Sequence, residues 1–290
     1  MIVDAHVHLW KKQQGMVNGK PVYDIGGGKS NFGGEIRQMM PPYMTDGVNS
    51  AERLIANMDF AQVNGAVAVQ EIIDGNQDEY LRACREAYPE RLRICSLYEE
   101  EKTCRLDGFD GVKICGGRLT KVKLEQLSPL FHQAEERGMF IAIDLADGEA
   151  QVPAMKQLIK ECPDLRIAIG HFGMVTAEGW KKQIELACNP NVYIESGGIT
   201  WLFNSEFYPY PSAVDAILEA RDICGIGKLM WGSDYPRTMT AITYRMSLDF
   251  VRNSEKLTEE EKEKFLGLNA SAFYRFPVKE NLPYIVHMAE

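Results

Sequence analysis

Two histidines, His6 and His8, lie two positions apart within the first ten residues of the chain. Because successive side chains of a strand point to opposite faces, these imidazoles share one face of a predicted first strand, with Ala5 and Val7 on the other. Two imidazole nitrogens on one side of a strand end can bind a single divalent metal ion. Histidine is also an ordinary half-buried residue, so the motif needs support from elsewhere in the chain.

Three further apolar runs each end in a side chain that could bind a metal ion or transfer a proton. The runs cover residues 140–144, 165–171 and 228–234. Their final residues are Asp144, His171 and Asp234. Titratable groups at the carboxyl ends of several buried strands are typical of the active-site face of a (β/α)8 barrel. The pattern therefore predicts that these three side chains lie near His6 and His8.

Strand-like and helix-like segments alternate along the chain. The predicted strands after the first cover residues 66–71, 92–97, 111–115, 140–144, 166–170, 192–196 and 228–232. The predicted helices cover residues 50–64, 77–88, 123–137, 150–162, 176–188, 212–223 and 239–253. Eight such units imply one domain over residues 1–290, an α/β (β/α)8 TIM barrel. A capping box at Thr258–Glu261 and a segment at 269–276 predict extra C-terminal helices.

An open, doubly wound sheet is the alternative fold, but no Gly-x-Gly-x-x-Gly turn follows the first strand to support it. Two long connections, residues 11–49 and 197–211, are expected to be active-site loops over the barrel mouth. The first is rich in glycine and is predicted to be irregular. The aromatic residues Trp10, Trp201 and Tyr208 could form walls of the pocket, or could only pack these connections down.

The composition argues against nucleic acid and an anionic membrane surface as partners. With a net charge of −9, the chain lacks the basic character that binding to nucleic acid or to an anionic membrane surface requires. No apolar run is long enough to span a bilayer. Seven cysteines without a Cys-x-x-Cys pair predict reduced thiols and a cytoplasmic location. Since the first strand begins at the start of the chain, neither a signal peptide nor an earlier domain is expected.

Three motifs together resemble the amidohydrolase superfamily. They are Asp4-Ala-His-Val-His8, Gly170-His-Phe-Gly173 and Trp231-Gly-Ser-Asp-Tyr-Pro236. More narrowly, the chain resembles the amidohydrolase-related (amidohydrolase 2) branch, whose closing helix is similar to residues 265–274. The resemblance covers essentially the whole chain and also implies a TIM barrel.

The resemblance implies that His6, His8 and His171 are metal ligands and that Asp234 both touches the metal and moves protons. Metal-binding relatives commonly have a histidine where this chain has Asp144. That aspartate could bind zinc or manganese through oxygen, or could be a polar group in a metal-free site. The expected cofactor is one divalent ion, zinc before manganese. Because some similar lactonases work without a bound metal, a metal-free mechanism is the alternative.

The expected reaction is hydrolysis of a small ester or amide, with a lactone favoured. Asp234 would act as base towards water, and His171 would polarise the substrate carbonyl. Arg118 and Arg237 follow predicted strands on the active-site side and could bind a substrate carboxylate. Lys113 is interpreted as structural or substrate-facing, because this branch does not generally use a carboxylated lysine at that strand.

Two alternative functions remain open from sequence. The first is metal-dependent, non-oxidative decarboxylation of a small unsaturated or aromatic acid, which the absence of the strand-five histidine weakens. The second is a catalytically inactive binding barrel, which the presence of His6, His8, His171 and Asp234 argues against. The expected partner is a small-molecule substrate, and the branch often forms homodimers.

Overall fold

Eight parallel strands form a nearly closed barrel. The structure is a computed structural model, and it describes residues 1–277 and 282–288. In chain order its strands are β1 (Val3–Val7), β2 (Gln14–Val17), β3 (Lys20–Gly26), β4 (Lys29–Phe32), β5 (Glu35–Gln38), β6 (Gly65–Ala68), β7 (Leu92–Leu97), β8 (Gly111–Cys115), β9 (Phe140–Asp144), β10 (Arg166–Ile169), β11 (Val192–Glu195) and β12 (Leu229–Met230). The barrel order is β1-β6-β7-β8-β9-β10-β11-β12, which confirms the (β/α)8 prediction.

The barrel closes where β1 meets the residues that follow β12. Because β12 has only two residues, backbone bonds beyond its end complete the closure. The Asp234 N–H donates to the His6 carbonyl oxygen at 2.9 Å, and the His8 N–H donates to the Tyr235 carbonyl oxygen at 2.8 Å. The first and last strands therefore bring their chemically active residues together through the main chain.

Helices cover the outside of the barrel between the strands. They are α1 (Ala51–Ala61), α2 (Asp78–Ala87), α3 (Ser128–Glu136), α4 (Val152–Glu161), α5 (Trp180–Ile184), α6 (Ile199–Leu202), α7 (Pro211–Cys224), α8 (Met246–Arg252), α9 (Glu259–Glu263) and α10 (Asn269–Tyr274). Three of them are much shorter than their predicted ranges, which were 176–188, 123–137 and 239–253. In the first case Gly179 has φ 84, a left-handed conformation that an α-helix does not contain, so α5 begins after it.

Residues 11–49, which we call the insert, were predicted to be irregular, and this prediction is wrong. They contain a four-stranded antiparallel sheet in the order β2-β3-β4-β5. Asn18 and Gly19 connect β2 to β3 with φ values of 49° and 73°, as in a two-residue hairpin turn. The glycine-rich composition therefore marks tight turns between short strands rather than a segment without secondary structure.

The amino-terminal end of the barrel is closed by apolar side chains. Phe273 and Tyr274 of α10 pack on Phe140, which opens β9, and Phe276 packs against Gly65 at the start of β6. The Thr258–Glu261 capping box opens α9, so the predicted C-terminal helices are confirmed. Within the described part of the chain, none of the helices combines the length and the apolar composition that crossing a membrane would need.

Candidate active site

A cavity of about 730 Å³ lies at the carboxyl-terminal end of the barrel. Its walls include His8, Asp144, His171 and Asp234, which end or follow four different barrel strands. The insert supplies another part of the wall, through Phe32, Arg37, Gln38 and Met39. The four side chains that the sequence predicted from separate strands are therefore brought to one cavity.

His6, His8 and Asp234 form a compact buried cluster. The Nε2 atoms of the two histidines are 3.1 Å apart. The Oδ1 atom of Asp234 lies 2.9 Å from Nε2 of His8 and 3.9 Å from Nε2 of His6. All three side chains are almost completely shielded from solvent.

The alternation of β1 is broken just before this cluster. The pairing register of β1 with β6 shifts between Asp4 and Val7. Ala5 consequently packs with the apolar side chains inside the barrel, whereas Val7 packs in the outer core against the helices. The prediction that these two residues share one face is wrong, because a simple strand was assumed, but the predicted proximity of the two histidines is confirmed.

Asp4 fixes the turn that carries Asp234. Its carboxylate accepts hydrogen bonds from the Ser233 N–H at 2.8 Å, from Ser233 Oγ at 2.5 Å and from the Tyr244 hydroxyl at 2.9 Å. Burial raises the pKa of Asp4 to about 6, against the lowering effect of these donors. Asp4 was not predicted as a site residue, although it belongs to the first-strand motif.

Asp234 is held as an ionised carboxylate in a strained backbone position. Its φ is 58°, which lies in the left-handed region that non-glycine residues rarely adopt. Burial alone would raise the pKa of Asp234, but the hydrogen bond from His8 and the charge of Arg237 bring it well below its usual value. Trp201 Nε1 donates to the second oxygen, Oδ2, at 2.8 Å. Asp234 therefore keeps its charge and a fixed orientation beside the cavity.

Glu195, the last residue of β11, orients His6. Its Oε1 lies 2.7 Å from Nδ1 of His6, and both side chains are buried. Because the carboxylate accepts a hydrogen bond from Nδ1–H, the lone pair of His6 is placed on Nε2, which faces His8 and Asp234. Glu195 was missed by the sequence analysis. Its position at the end of a predicted strand was the signal that could have identified it.

The donor atoms of His6, His8 and Asp234 have the spacing that a single divalent metal ion needs. Ligand atoms held about 2.0–2.1 Å from a tetrahedral ion lie about 3.3 Å from one another. The separations of 3.1, 2.9 and 3.9 Å between His6, His8 and Asp234 scatter around this value. Burial and the charge of Arg237 lower the pKa of His8 well below its ordinary value, so its imidazole is the neutral form that binds metals. These three residues fit one ion.

Asp144 lies between two cationic groups rather than among free ligand atoms. Its Oδ1 is 2.5 Å from Nζ of the buried Lys113, and its Oδ2 is 3.6 Å from Nε2 of His171. Burial alone would raise the pKa of Asp144, but Lys113 and then His171 bring it well below its usual value. His6, Asp144 and His171 also place ligand atoms within 4.8 Å of one another. The ion pair with Lys113 favours the interpretation of Asp144 as a charge partner.

His171 carries a proton on each ring nitrogen at neutral pH. Burial alone would lower its pKa, but the nearby Asp144 carboxylate raises the pKa of His171 to about 10. Its Nδ1 donates to the Gly197 carbonyl oxygen at 2.8 Å, which leaves Nε2–H towards Asp144 and the cavity. Like Asp234, His171 has a left-handed backbone, with φ 54. The site therefore presents a fixed imidazolium beside a fixed carboxylate.

Both predicted substrate arginines line the cavity, but each is bound to a carboxylate of the protein. Arg118 Nε donates to Glu71 Oε1 at 2.8 Å, and its side chain is 39% exposed. Arg237 Nη2 donates to Asp74 Oδ2 at 2.6 Å and Nη1 lies 3.5 Å from Asp234 Oδ1. Arg237 is therefore built into the site, and Arg118 is the more accessible of the two.

The structure separates the three predicted aromatic residues. Trp201 lines the cavity and contacts Asp234. Trp10 lies outside the cavity wall, fully buried, and its Nε1 donates to the Gly47 carbonyl oxygen at 2.9 Å. Tyr208 is also outside the wall, with its ring 6.3 Å from that of Tyr210. Trp10 and Tyr208 thus pack against the connections 11–49 and 197–211 rather than against the cavity, which was the other interpretation offered by the sequence.

A family model described as amidohydrolase matches residues 3–276 of the chain. The protein therefore belongs to the amidohydrolase family. A sequence search of curated proteins gave no significant match. The family match makes the protein a hydrolase and does not favour the decarboxylase alternative.

Solved structures with the same fold cover nearly the whole chain. One is a probable 2-pyrone-4,6-dicarboxylic acid hydrolase from Acinetobacter baumannii with citric acid bound, with 19% identity, TM-score 0.71, and coverage of 95% of this chain and 99% of that chain. Another is an amidohydrolase from Burkholderia multivorans with bound zinc, with 16% identity, TM-score 0.68, and coverage of 96% and 100%. A third is amidohydrolase 2 from Bifidobacterium longum subsp. infantis, with 18% identity, TM-score 0.65, and coverage of 95% and 99%. At these identities the likeness supports the shared barrel.

Proposed function

We propose that this amidohydrolase opens the ring of a small-molecule lactone with an activated water molecule. The observation that carries the proposal is the pairing of two opposite charges at one cavity. Asp234 is an ionised acceptor, and His171 is an imidazolium donor with a pKa of about 10. Hydrolysis of a cyclic ester needs these two groups, one to take a proton from water and one to stabilise the carbonyl oxygen.

The residues divide the reaction between them. Asp234 accepts one proton from water as the water oxygen attacks the carbonyl carbon of the lactone. His171 donates a hydrogen bond to the carbonyl oxygen, where negative charge develops. The bond between the carbonyl carbon and the ring oxygen then breaks, and Asp234 returns the proton to that ring oxygen. The product is an open hydroxy acid, formed from one lactone and one water.

His6, His8 and Asp234 would hold a divalent ion, which we propose to be zinc, with manganese as the alternative. When bound, such an ion lowers the pKa of water and polarises a carbonyl oxygen. Glu195 orients His6 for this purpose, because its Oε1 accepts a hydrogen bond from Nδ1–H of His6 over an N···O distance of 2.7 Å. A mechanism that depends only on Asp234 and His171 is the metal-free alternative.

The class of substrate follows from the cavity and from one structural neighbour. The description of the A. baumannii protein names a pyrone dicarboxylic acid, which is a cyclic ester. We propose only that the substrate of this chain is also a cyclic ester. We do not propose that it carries two carboxylates, since both arginines on the barrel side of the cavity are bound to carboxylates of the protein. Within residues 1–277 and 282–288, the two terminal nitrogens of Arg118 have no hydrogen-bond acceptor, so Arg118 is the candidate contact for one substrate carboxylate.

The first test measures metal content and lactone hydrolysis in the same preparation. Elemental analysis of the purified protein is followed by assays on a panel of sugar lactones and pyrone lactones, before and after chelation. About one zinc or manganese ion per chain, with activity lost on chelation and restored by the ion, supports the metal-assisted form. Lactone hydrolysis without metal supports the metal-free form. Failure to hydrolyse any lactone, with or without added ions, contradicts the proposed function.

We also propose that the protein acts in the cytoplasm, because all seven cysteines are free thiols in the structure. A small molecule as the only partner and a homodimeric state stay predictions. Size-exclusion chromatography with light scattering tests the second of these directly.

A further inference from the structure

A chain of polar contacts runs from the insert to Asp234. Ser30 Oγ donates to Gln13 Oε1 at 2.5 Å, and Gln13 Nε2 donates to Asp74 Oδ1 at 2.9 Å. Arg237 Nη2 donates to the other oxygen of Asp74 at 2.6 Å, while Nη1 of the same guanidinium lies 3.5 Å from Asp234 Oδ1. Each of these side chains is buried except that of Arg237, which is 15% exposed.

We propose that Asp74 is a positioning residue that orients Asp234 through Arg237, and that the docked insert holds Asp74 through Gln13. The role of Asp234 as the base is that of the proposed function, on which this inference rests. The orientation of the Asp234 carboxylate then depends on a segment that precedes it by about two hundred positions.

The carboxylate of Asp74 is held from two sides at once. Its two oxygens are bound by partners from different parts of the molecule, Gln13 from the insert and Arg237 from the connection after β12. A buried carboxylate is costly unless each oxygen is satisfied, so both contacts have to be kept together. Arg237 presents a rigid planar fork, so fixing one of its nitrogens on Asp74 fixes the other beside Asp234.

The backbones of the insert and of the turn that carries Asp74 are in direct contact. A Cβ atom at Gly15 would lie 2.2 Å from the carbonyl carbon of Ile73, and one at Gly75 would lie 2.0 Å from the carbonyl oxygen of Gln14. No side chain fits at either glycine without moving the backbone. A displacement of the insert is therefore transmitted to Asp74, with no flexible side chain in between to absorb it.

The insert also contributes to the cavity wall through Arg37, Gln38 and Met39. One element thus contacts the space for the substrate and, through Gln13 and Asp74, holds the carboxylate that activates water. Asp234 is therefore oriented for catalysis only when the insert, which forms this part of the cavity wall, is docked in place.

The test uses the indole proton of Trp201 as a reporter that needs no substrate. Because Trp201 Nε1 donates to Asp234 Oδ2 at 2.8 Å, its resonance depends on the position of that carboxylate. Proteins labelled with ¹⁵N-tryptophan give four indole signals, and Trp201→Phe identifies the relevant one. We expect Gln13→Leu and Asp74→Asn to move this signal and the matched control Gln14→Leu to leave it in place. An unchanged signal in both variants overturns the proposal.

Kinetics distinguish positioning from a structural role. For Gln13→Leu and Asp74→Asn we expect kcat to fall by about 10- to 100-fold, with KM changed by less than about threefold. The double variant should be no slower than Asp74→Asn alone, because both changes break one chain of contacts. Multiplied losses, or an unchanged kcat in folded single variants, contradict the proposal. A wild-type protein that opens no lactone refutes the proposed function, whereas the indole signal still decides the role of Asp74.

Discussion

Asp234 and Asp144 are two buried carboxylates at one cavity, and both remain ionised, but for different reasons. Asp144 is 2.5 Å from the ammonium group of Lys113 and also faces the His171 imidazolium. Asp234 is bound by the neutral donors His8 and Trp201, with its closest cation, Arg237, at 3.5 Å. Both carboxylates have lowered pKa values, but protonation of Asp144 would leave the buried Lys113 ammonium without its carboxylate, whereas Arg237 keeps Asp74 at 2.6 Å when Asp234 takes a proton. This difference supports the proposed base role of Asp234 and is consistent with Asp144 balancing the charge of Lys113.

Removal of the proposed base, Asp234, is expected to have the largest effect on activity. Asp234→Asn keeps the shape of the side chain but cannot accept a proton, so we expect kcat on a lactone to fall by about 10²- to 10⁴-fold. Asp222→Asn, at an exposed side chain, is the matched control and should keep full activity. Retention of more than a tenth of the activity by folded Asp234→Asn would remove this residue from the mechanism.

For Asp144 the largest expected effect is on stability. Asp144→Asn leaves the Lys113 ammonium buried without its partner, which costs about 3–5 kcal/mol in the free energy of unfolding. Denaturant titration measures this loss. The double variant Lys113→Met/Asp144→Asn should recover a large part of it, because no unpaired charge is then buried. A double variant less stable than Asp144→Asn alone would show that the ion pair is not the reason for the loss.

The dependence of kcat/KM on pH should report the effect of Asp144 on His171. Since the pKa of His171 is raised to about 10 by Asp144, we expect kcat/KM to hold from neutral pH upward and to fall above about pH 10. In Asp144→Asn this alkaline fall should move down by about 1–3 pH units. A variant with an unmoved alkaline limb would show that another group controls it.

The same group affects stability with a defined sign. The pKa of His171 is raised above its ordinary value of 6.5, so its contribution to stability is fully present below pH 6.5 and is lost as the pH rises through about 10. The unfolding midpoint of the wild-type protein should therefore fall over this range more than that of His171→Gln. Parallel curves for the two proteins would contradict this assignment.

The smallest expected effect concerns the partner of His6. Glu195→Gln keeps a hydrogen bond to Nδ1 but removes the negative charge, so the affinity of the cluster for zinc should fall by about 10- to 100-fold. Competition with a chromophoric chelator measures the affinity. Glu185→Gln, at a side chain on the outer surface, should bind zinc as the wild type does.

The barrel and the ends of its strands could be predicted from sequence because both depend on local patterns. Short apolar runs alternate with amphipathic segments, and Asp144, His171 and Asp234 each follow such a run. The insert was misjudged because its strands are short and partly exposed, and its glycine-rich sequence was interpreted as an irregular loop rather than as strands joined by turns such as Asn18-Gly19.

The partners of the site residues could not be predicted, since they come from remote parts of the chain. Glu195 meets His6 across 189 positions, and Arg237 meets Asp74 across 163. No local pattern contains such a pairing. For the same reason the sequence could suggest that Trp10 faces the pocket but could not show that it lies under the insert.

The closure of the barrel between β1 and the residues after β12 has a consequence for synthesis of the protein. His8 and Asp234 are 226 positions apart, so a ribosome adding about 5–20 residues per second makes the histidine roughly 10–45 s before the aspartate. During that time the nascent chain lacks the carboxylate of Asp234. Chains cut short before Asp234 should therefore have no turnover, and turnover should appear only after the residues that follow β12 have paired with β1.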